Sequence, residues 1–158
     1  MVVAVDDLAA IIAGLEGIVG ITFSGGEPFD QAAGLAALAR RVRESRDLGV
    51  VCFTGHTLES LRSKGAPSAD DLLAQVDLLI DGPFLADRPP APFWRGSDNQ
   101  RLHFLTPRYA RLKEGSEGAV NELQVDIANG QAIVSGDLTH SPLHEITALL
   151  SQLHGVDL

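Results

Sequence analysis

The sequence predicts an α/β fold built on a largely parallel sheet. Apolar runs of strand length alternate with segments of helical periodicity through the first half of the chain. Near-continuous apolar strands separated by helices are typical of parallel sheets that are covered on both faces. At 158 residues the chain is long enough to bury one hydrophobic core, and nothing in it suggests two full domains.

The first two thirds of the chain supply four strands and four helices. Asp6 or Asp7 can cap a first helix, whose apolar residues recur at helical spacing. Residues 18–23 form a buried strand, and a second helix follows from Asp30 to about Arg46. The later elements are a strand, two short helices, a third strand and a fourth, predicted at residues 48–53, 57–64, 68–76, 77–81 and 101–106.

Residues that interrupt regular structure mark the rest of the chain. The proline-rich segment 88–92 can sustain neither a helix nor a central strand, so it predicts an exposed loop. Alternating apolar and polar residues flank Asn129-Gly130, which predicts a β-hairpin, and a final helix begins at Ser141-Pro142. We therefore expect a core over residues 1–112 and a C-terminal hairpin and helix over residues 113–158, packed on or beside it.

Composition and charge restrict the compartment and the partners. The net charge of −9 argues against non-specific nucleic-acid binding, which depends on neutralising phosphates with Lys and Arg. No apolar run approaches the ~20 residues of a membrane span. A single cysteine excludes an internal disulfide and fits a reducing compartment. We expect a cytoplasmic protein with neither nucleic acid nor a membrane as its partner.

The segment Ser24-Gly25-Gly26-Glu27-Pro28 lies where the first strand turns into a helix. Small molecules bind at such strand ends in α/β proteins. Gly25 and Gly26 allow a backbone to approach a ligand closely, because neither has a Cβ atom. Glu27 offers an anionic acceptor for a ligand ammonium group, and Pro28 fixes the entry into the helix.

Four ordered segments together carry a resemblance. They are FSGGEPF at 23–29, FTGHTL at 53–58, LIDGPF at 79–84 and WRGSDNQR at 94–101. In this order they resemble the radical S-adenosylmethionine activating enzymes. The similarity is greatest to the single-cluster branch that includes the anaerobic ribonucleotide reductase activating enzyme. The resemblance covers residues 6–109, roughly two thirds of the chain.

The resemblance implies a fold and a set of site residues. The fold would be a partial, open (β/α)6 barrel that lacks its first strand, with its active site at the carboxyl ends of the strands. The GGEP segment binds the amino group of S-adenosylmethionine in this family. Carried over position by position, the cofactor-binding residues are Ser24, Gly25, Gly26, Glu27, Thr54 and Asp81. The WRGSDNQR loop (Trp94–Arg101) is characteristic of this branch, and its partner or rim residues would be Arg95, Asn99, Gln100 and Arg101. We assign the loop no chemical step, but Arg95 and Arg101 could contact a carboxylate of the cofactor or of a partner protein.

The resemblance also implies a reaction and partners. An intact family member cleaves S-adenosylmethionine reductively at a [4Fe-4S] cluster, with an electron from a donor such as flavodoxin. The resulting 5′-deoxyadenosyl radical takes a hydrogen atom from a glycine of a partner, a glycyl radical enzyme such as anaerobic ribonucleotide reductase. The cofactors implied are therefore S-adenosylmethionine and a [4Fe-4S] cluster.

The chain departs from this family in its cysteines. The family holds its cluster with a CxxxCxxC loop upstream of the GGEP segment, whereas this chain has one cysteine, Cys52, inside an apolar run. Cluster chemistry needs several converging thiolates, so we interpret Cys52 as a small core residue. Without the family's first strand, the strand at 18–23 would be an open edge, and we expect a homodimer through it, or poor solubility of the chain.

Two functional interpretations stay open at this point. The chain is the body of a radical activating enzyme that is not competent as given, or it is a cluster-less relative that binds S-adenosylmethionine or a partner protein without catalysis. Other candidate sites are weaker. Asp77 and Asp81 lie ~13 Å apart along one strand, too far to share a proton. His140 and His144 have the i,i+4 spacing of metal ligands but lack a third ligand nearby.

Overall fold

The computed structural model describes residues 3–89, 94–114, 122–128 and 131–136. Its regular elements are the helices α1 (Val5–Gly14), α2 (Ala32–Arg43), α3 (Leu58–Ser63) and α4 (Pro67–Leu73), the 3-10 helices Pro28–Gln31 and Pro107–Glu114, and the strands β1 (Gly20–Gly25), β2 (Gly49–Thr54), β3 (Leu78–Asp81), β4 (Arg101–Phe104), β5 (Glu122–Ala128) and β6 (Gln131–Gly136). Each strand and helix predicted before residue 107 is present, with shifts of a few residues at its ends.

Six strands form one open, mixed sheet in the order β4-β3-β2-β1-β5-β6. The four central strands run parallel, whereas β4 pairs with β3 and β6 pairs with β5 in antiparallel register. The predicted α/β class and the C-terminal hairpin are confirmed. The described strands do not form the predicted parallel (β/α)6 arrangement. No helix lies among the described residues between β3 and β4, and an antiparallel neighbour needs no crossover helix.

The strand β1 lies in the interior of the sheet and not at its edge. Its Gly20–Gly25 pairs with β5 from Gly20↔Glu122 to Gly25↔Ile127, while its other side pairs with β2. The expectation of an open edge at residues 18–23 was therefore wrong, and with it the reason for a homodimer through that edge. The first strand of the C-terminal hairpin occupies this place. The predicted final helix, from Ser141-Pro142 onward, lies outside the described residues.

The helices α1, α2 and α4 cover one face of the sheet. Their apolar stripes pack against the strand residues of that face in a single core cluster, which includes Ile12, Leu35, Val42, Leu72, Phe23, Val50 and Leu79. The opposite face carries a smaller cluster around Val51, Leu78, Ile80 and Tyr109. Tyr109 comes from the second 3-10 helix and packs beside Gly20, where an added Cβ would lie 2.8 Å from its hydroxyl oxygen.

The amino end of β3 is closed by the buried Asp77. Its Oδ2 accepts hydrogen bonds from the Val50 N–H at 2.8 Å and from Arg43 at 2.5 Å. Its Oδ1 accepts from the Thr106 hydroxyl at 2.6 Å. Asp77 therefore ties together α2, β2 and the segment after β4, far from the carboxyl ends of the strands. None of the helices in the described part of the chain is long and apolar enough to cross a membrane.

Candidate ligand-binding site

A cavity of about 380 Å³ opens at the carboxyl ends of β1, β2 and β3. This volume is within the range of small-molecule sites, roughly 300–1,000 Å³. We call it the GGEP cavity. Its lining residues are Ser24, Gly25, Gly26, Glu27, Pro28, Phe53, Thr54, Gly55, Gly82, Phe84 and Gln100. Five of the six predicted cofactor-binding residues therefore line one cavity, and only Asp81 does not.

Glu27 is held in place by the turn that it belongs to. The strand β1 ends at Gly25, whose φ of +95° lies in the region that glycine adopts without strain. Glu27 then caps the 3-10 helix Pro28–Gln31, because its Oε1 accepts a hydrogen bond from the Phe29 N–H at 3.0 Å. Pro28 follows at the first helical position, where a missing N–H costs nothing.

The end of β2 holds the same carboxylate from the other side. The Thr54 hydroxyl donates to Glu27 Oε1 at 2.8 Å, and the Gly55 N–H donates to Glu27 Oε2 at 2.9 Å. Oε1 thus accepts two hydrogen bonds and Oε2 accepts one. A carboxylate has about four acceptor positions, so the described part of the chain leaves one position on Oε2 for a donor from a ligand.

Gly82, Phe84 and Gln100 form the wall on the β3 side. The Gly82 N–H donates to the His56 carbonyl at 3.0 Å, which links the segment after β3 to the segment after β2. The Gln100 side chain donates from Nε2 to the Gly82 carbonyl at 3.1 Å and accepts the Gly96 N–H at Oε1 at 2.8 Å. Gln100 thus joins the WRGSDNQR loop to the segment after β3.

Asp81, at the carboxyl end of β3, has no exposed surface and does not line the cavity. Its Oδ2 accepts the Leu58 N–H at the start of α3 at 2.7 Å. Arg101 donates to both of its oxygens, at 3.0 and 2.6 Å, and the Nε2 of His103 lies 3.0 Å from Oδ2. Burial raises the pKa of Asp81, but the hydrogen bonds from Arg101 and Leu58 outweigh it and hold the pKa below the ordinary value. This carboxylate therefore joins β3, α3 and β4 rather than facing the cavity.

Arg101 pairs with a second carboxylate of the chain. It donates to both oxygens of Glu59 in α3, at 3.1 and 2.7 Å, and lowers the pKa of Glu59 to about 2. Together with Asp81, Glu59 occupies nearly all the donors of the guanidinium. Both carboxylates that Arg101 contacts in this structure therefore belong to the chain itself. The sequence analysis had instead predicted a contact with a carboxylate of the cofactor or of a partner protein.

The other two rim residues also make contacts within the chain. Arg95 donates to the main-chain carbonyl of Gln100 at 3.3 Å. Asn99 donates from Nδ2 to the Pro83 carbonyl at 2.7 Å. Of the four predicted rim residues, only Gln100 lines the cavity.

The residues of this chain do not fit a [4Fe-4S] cluster. Cys52 is the single cysteine of the sequence, and it is fully buried within β2. Burial, with a smaller contribution from the charge of Glu27, raises the pKa of its thiol far above the ordinary range. A cluster ligand must be a thiolate. No group of three possible metal ligands occurs among the described His, Cys, Asp and Glu residues. The interpretation of Cys52 as a core residue is confirmed.

Two aromatic residues of the cavity were missed by the sequence analysis. Phe53 belongs to β2 and is half-buried, whereas Phe84 follows β3 and is 63% exposed. Both stand in segments on which the resemblance rests, at or just after the carboxyl end of a strand. Ligand pockets are commonly lined by aromatic side chains, so the position of these two residues near strand ends could have identified them as candidates.

Comparison with known proteins supports the resemblance to the activating enzymes. The profile of the family described as "4Fe-4S single cluster domain" matches residues 3–103. The chain is 33% identical to the anaerobic ribonucleoside-triphosphate reductase-activating protein of Salmonella typhimurium, over 54% of this chain and 56% of that protein. It is 30% identical to the protein of the same name from Enterobacteria phage T4, over 54% of this chain and 53% of the relative.

The corresponding protein of Escherichia coli K12 is 32% identical over 54% of this chain and 56% of its own length. The match thus spans about half the length of the curated relatives. No solved structure gives a significant match. The resemblance to activating enzymes is confirmed by these relatives. The chain belongs to the 4Fe-4S single cluster domain family.

Proposed function

We propose that this chain binds S-adenosylmethionine in the GGEP cavity, as the ligand-binding body of a radical activating enzyme. The observation that supports this most strongly is the arrangement of Glu27. Three donors from the β1 turn and the β2 end fix its carboxylate, and one acceptor position is left on Oε2 at the cavity. An anionic acceptor held in this way suits the ammonium group of an amino acid.

The chain's own residues would bind and orient the ligand. Glu27 accepts a hydrogen bond from the ligand ammonium, while the exposed backbone of Gly25 and Gly26 allows close approach. Orientation of a bound cofactor is the contribution that a protein makes to cofactor chemistry. We assign no chemical step to these residues, because the thiolates of the cluster are not among them.

The proposed partner is a glycyl radical enzyme of the anaerobic ribonucleotide reductase type. The relatives are named as activating proteins for that reductase, which supports the assignment. By the same resemblance, a flavodoxin-like donor would supply the electron and the cytoplasm would be the compartment. We also propose residues 1–112 as the ligand-binding core, with the segment from 113 to 158 as its C-terminal extension.

A second candidate function is a cluster-less protein that binds S-adenosylmethionine or a partner without catalysis. It needs only the GGEP cavity, and no group of three possible metal ligands occurs among the residues that the structure describes. Both candidates use the same cavity, so ligand binding is common to them. They differ in whether the radical reaction takes place on a protein that contains this chain.

Replacing Glu27 tests the ligand-binding function that both candidates share. Isothermal titration with S-adenosylmethionine should show one site per chain. Glu27→Gln should weaken binding about tenfold or more, because hydrogen bonds to a charged group contribute about 1.5–3 kcal/mol. Glu16→Gln, which neutralises an exposed carboxylate outside the cavity, is the matched control and should leave the affinity unchanged. Equal affinity of the Glu27 variant and the wild type would contradict the proposal.

A further inference from the structure

The WRGSDNQR loop is tied to the segment that follows β3. Asn99 donates to the Pro83 carbonyl and Gln100 to the Gly82 carbonyl, while the Leu85 N–H donates to the Ser97 hydroxyl at 3.2 Å. Ser97 and Gln100 are both buried, with 0% and 6% exposure. The loop and the segment Gly82–Leu85 therefore behave as one unit, whose position is set by buried polar side chains.

This unit carries an aromatic ring at the edge of the cavity. Phe84 lines the cavity and is 63% exposed, so most of its ring is accessible to a ligand. One side of its ring is packed against the backbone of Gly96. A Cβ atom added there would lie 2.8 Å from Phe84 Cδ2 and 3.1 Å from Cε2. Glycine at position 96 thus lets the loop support the ring closely, while most of the ring stays accessible.

Phe84 and Glu27 line the same cavity from segments that follow different strands. Glu27 follows β1 and Phe84 follows β3, and β2 lies between these strands in the sheet. The carboxylate of Glu27 lies against the end of β2, where Thr54 and Gly55 donate to it, whereas Phe84 belongs to the β3 side of the cavity. A ligand that contacts both residues must reach from the end of β2 to the β3 side, with a cationic group at one end and an apolar or aromatic group at the other. S-adenosylmethionine has its ammonium and its adenine at its two ends.

We infer that Phe84 is a specificity residue that packs against the adenosyl group of the bound ligand, and that the WRGSDNQR loop positions its ring. This inference rests on the proposed binding of S-adenosylmethionine and assigns a role to a motif whose function the sequence analysis left open. Glu27 selects the amino-acid end of the ligand, and Phe84 selects the adenosyl end. The loop supports the ring through Gly96 and holds its segment through Ser97 and Gln100.

The test compares two sulfonium ligands by isothermal titration. S-adenosylmethionine carries the adenosyl group, whereas S-methylmethionine has the same amino-acid end and a methyl group in its place. The wild type should prefer the first ligand. Phe84→Leu should weaken S-adenosylmethionine binding about tenfold, as expected for loss of a stacked base, and leave S-methylmethionine binding unchanged. Val19→Ala, which truncates an exposed apolar side chain outside the cavity and its supporting loop, should match the wild type.

A second variant tests the supporting loop. Gly96→Ala places a methyl group against the ring and should weaken S-adenosylmethionine binding as Phe84→Leu does, with an unchanged far-UV circular dichroism spectrum. If the wild type binds S-adenosylmethionine and both Phe84→Leu and Phe84→Ala bind it equally well, the role of Phe84 is overturned and the proposed function stands. If the wild type binds no S-adenosylmethionine, the proposed function fails and this inference fails with it.

Discussion

The hydroxyl group of Thr54 is used within the protein. It donates to Glu27 Oε1 at 2.8 Å and accepts the His56 N–H at 3.1 Å, and the residue is 4% exposed. Thr54 lines the cavity, yet its only donor points to Glu27. The sequence interpretation placed Thr54 at the cofactor. In the structure its polar contacts make it a positioning residue, which would act on the ligand through Glu27.

This arrangement predicts how Thr54 variants differ. Thr54→Val keeps the shape and removes the donor to Glu27, so it should weaken S-adenosylmethionine binding about fivefold and lower the free energy of unfolding by about 1.5 kcal/mol. Thr54→Ser keeps the hydroxyl and should bind like the wild type. Methylthioadenosine lacks the ammonium group, so its affinity should not change in either variant. Equal loss of both ligands in Thr54→Val would point to general damage to the cavity instead.

At the scale of elements, buried carboxylates join the strands to the helices at both ends of β3. At the amino end, Asp77 accepts hydrogen bonds from the Arg43 side chain of α2 and from the Val50 N–H of β2. At the carboxyl end, Asp81 accepts hydrogen bonds from the first N–H of α3 and from the guanidinium of Arg101 in β4. The two aspartates have separate sets of hydrogen-bond partners, which agrees with the rejection of an acid–base dyad.

The junction at Asp81 should be sensitive to acid. The pKa of Glu59 is lowered from 4.5 to about 2 by Arg101, and the pKa of Asp81 also lies below its ordinary value. A carboxyl group with a lowered pKa in the folded state stabilises that state above its unfolded pKa. This contribution decreases as the pH falls through the folded pKa. The wild type should therefore lose stability progressively between about pH 4.5 and pH 2.

Urea unfolding at pH 7, 4 and 3 measures this effect. Glu59→Gln should show a smaller decrease in midpoint than the wild type, because it lacks one of the two shifted carboxyl groups. The difference should be small and should decrease with added salt, since Glu59 is exposed. Identical pH dependence in the two proteins at low salt would show that the pair with Arg101 does not stabilise the folded state.

At the scale of the whole molecule, both candidate functions predict that this chain binds no iron–sulfur cluster by itself. We expect the purified chain to retain no stoichiometric iron after anaerobic incubation with iron and sulfide, because its single thiol is buried in β2. Cys52→Ser should give the same iron content. One [4Fe-4S] cluster per chain in the wild type, and none in Cys52→Ser, would show that the thiol is accessible and would contradict the core role of Cys52.

The local part of the fold was predictable from the sequence, whereas the pairing of distant strands was not. The strands predicted at 18–23, 48–53 and 77–81 are close to β1, β2 and β3, because apolar runs and turn residues are local signals. The parallel pairing of β1 with β5 joins segments that are distant in the sequence. Hydrophobic periodicity does not indicate which distant strand will pair with β1. The antiparallel direction of β4 was missed for the same reason.

The candidate site was predictable in its residue types and only partly in its contacts. The GGEP turn and the β2 end were expected near one ligand, and the structure brings them together around one cavity. The sequence could not show that Glu27 is held by Thr54, or that Asp81 and Arg101 pair with each other outside the cavity lining. These contacts depend on side chains from different strands that meet at one end of the sheet.

The position of β5 beside β1 has a consequence for how the chain folds. Paired residues such as Gly20 and Glu122 are about a hundred residues apart in the sequence, which makes this the most non-local pairing of the sheet. During synthesis, β1 and β2 can pair long before β5 has left the ribosome. A nascent chain would therefore present one unpaired side of β1 until the hairpin arrives. This side of β1 becomes hydrogen-bonded only when β5 pairs with it. We expect that pairing to be the slow step of refolding.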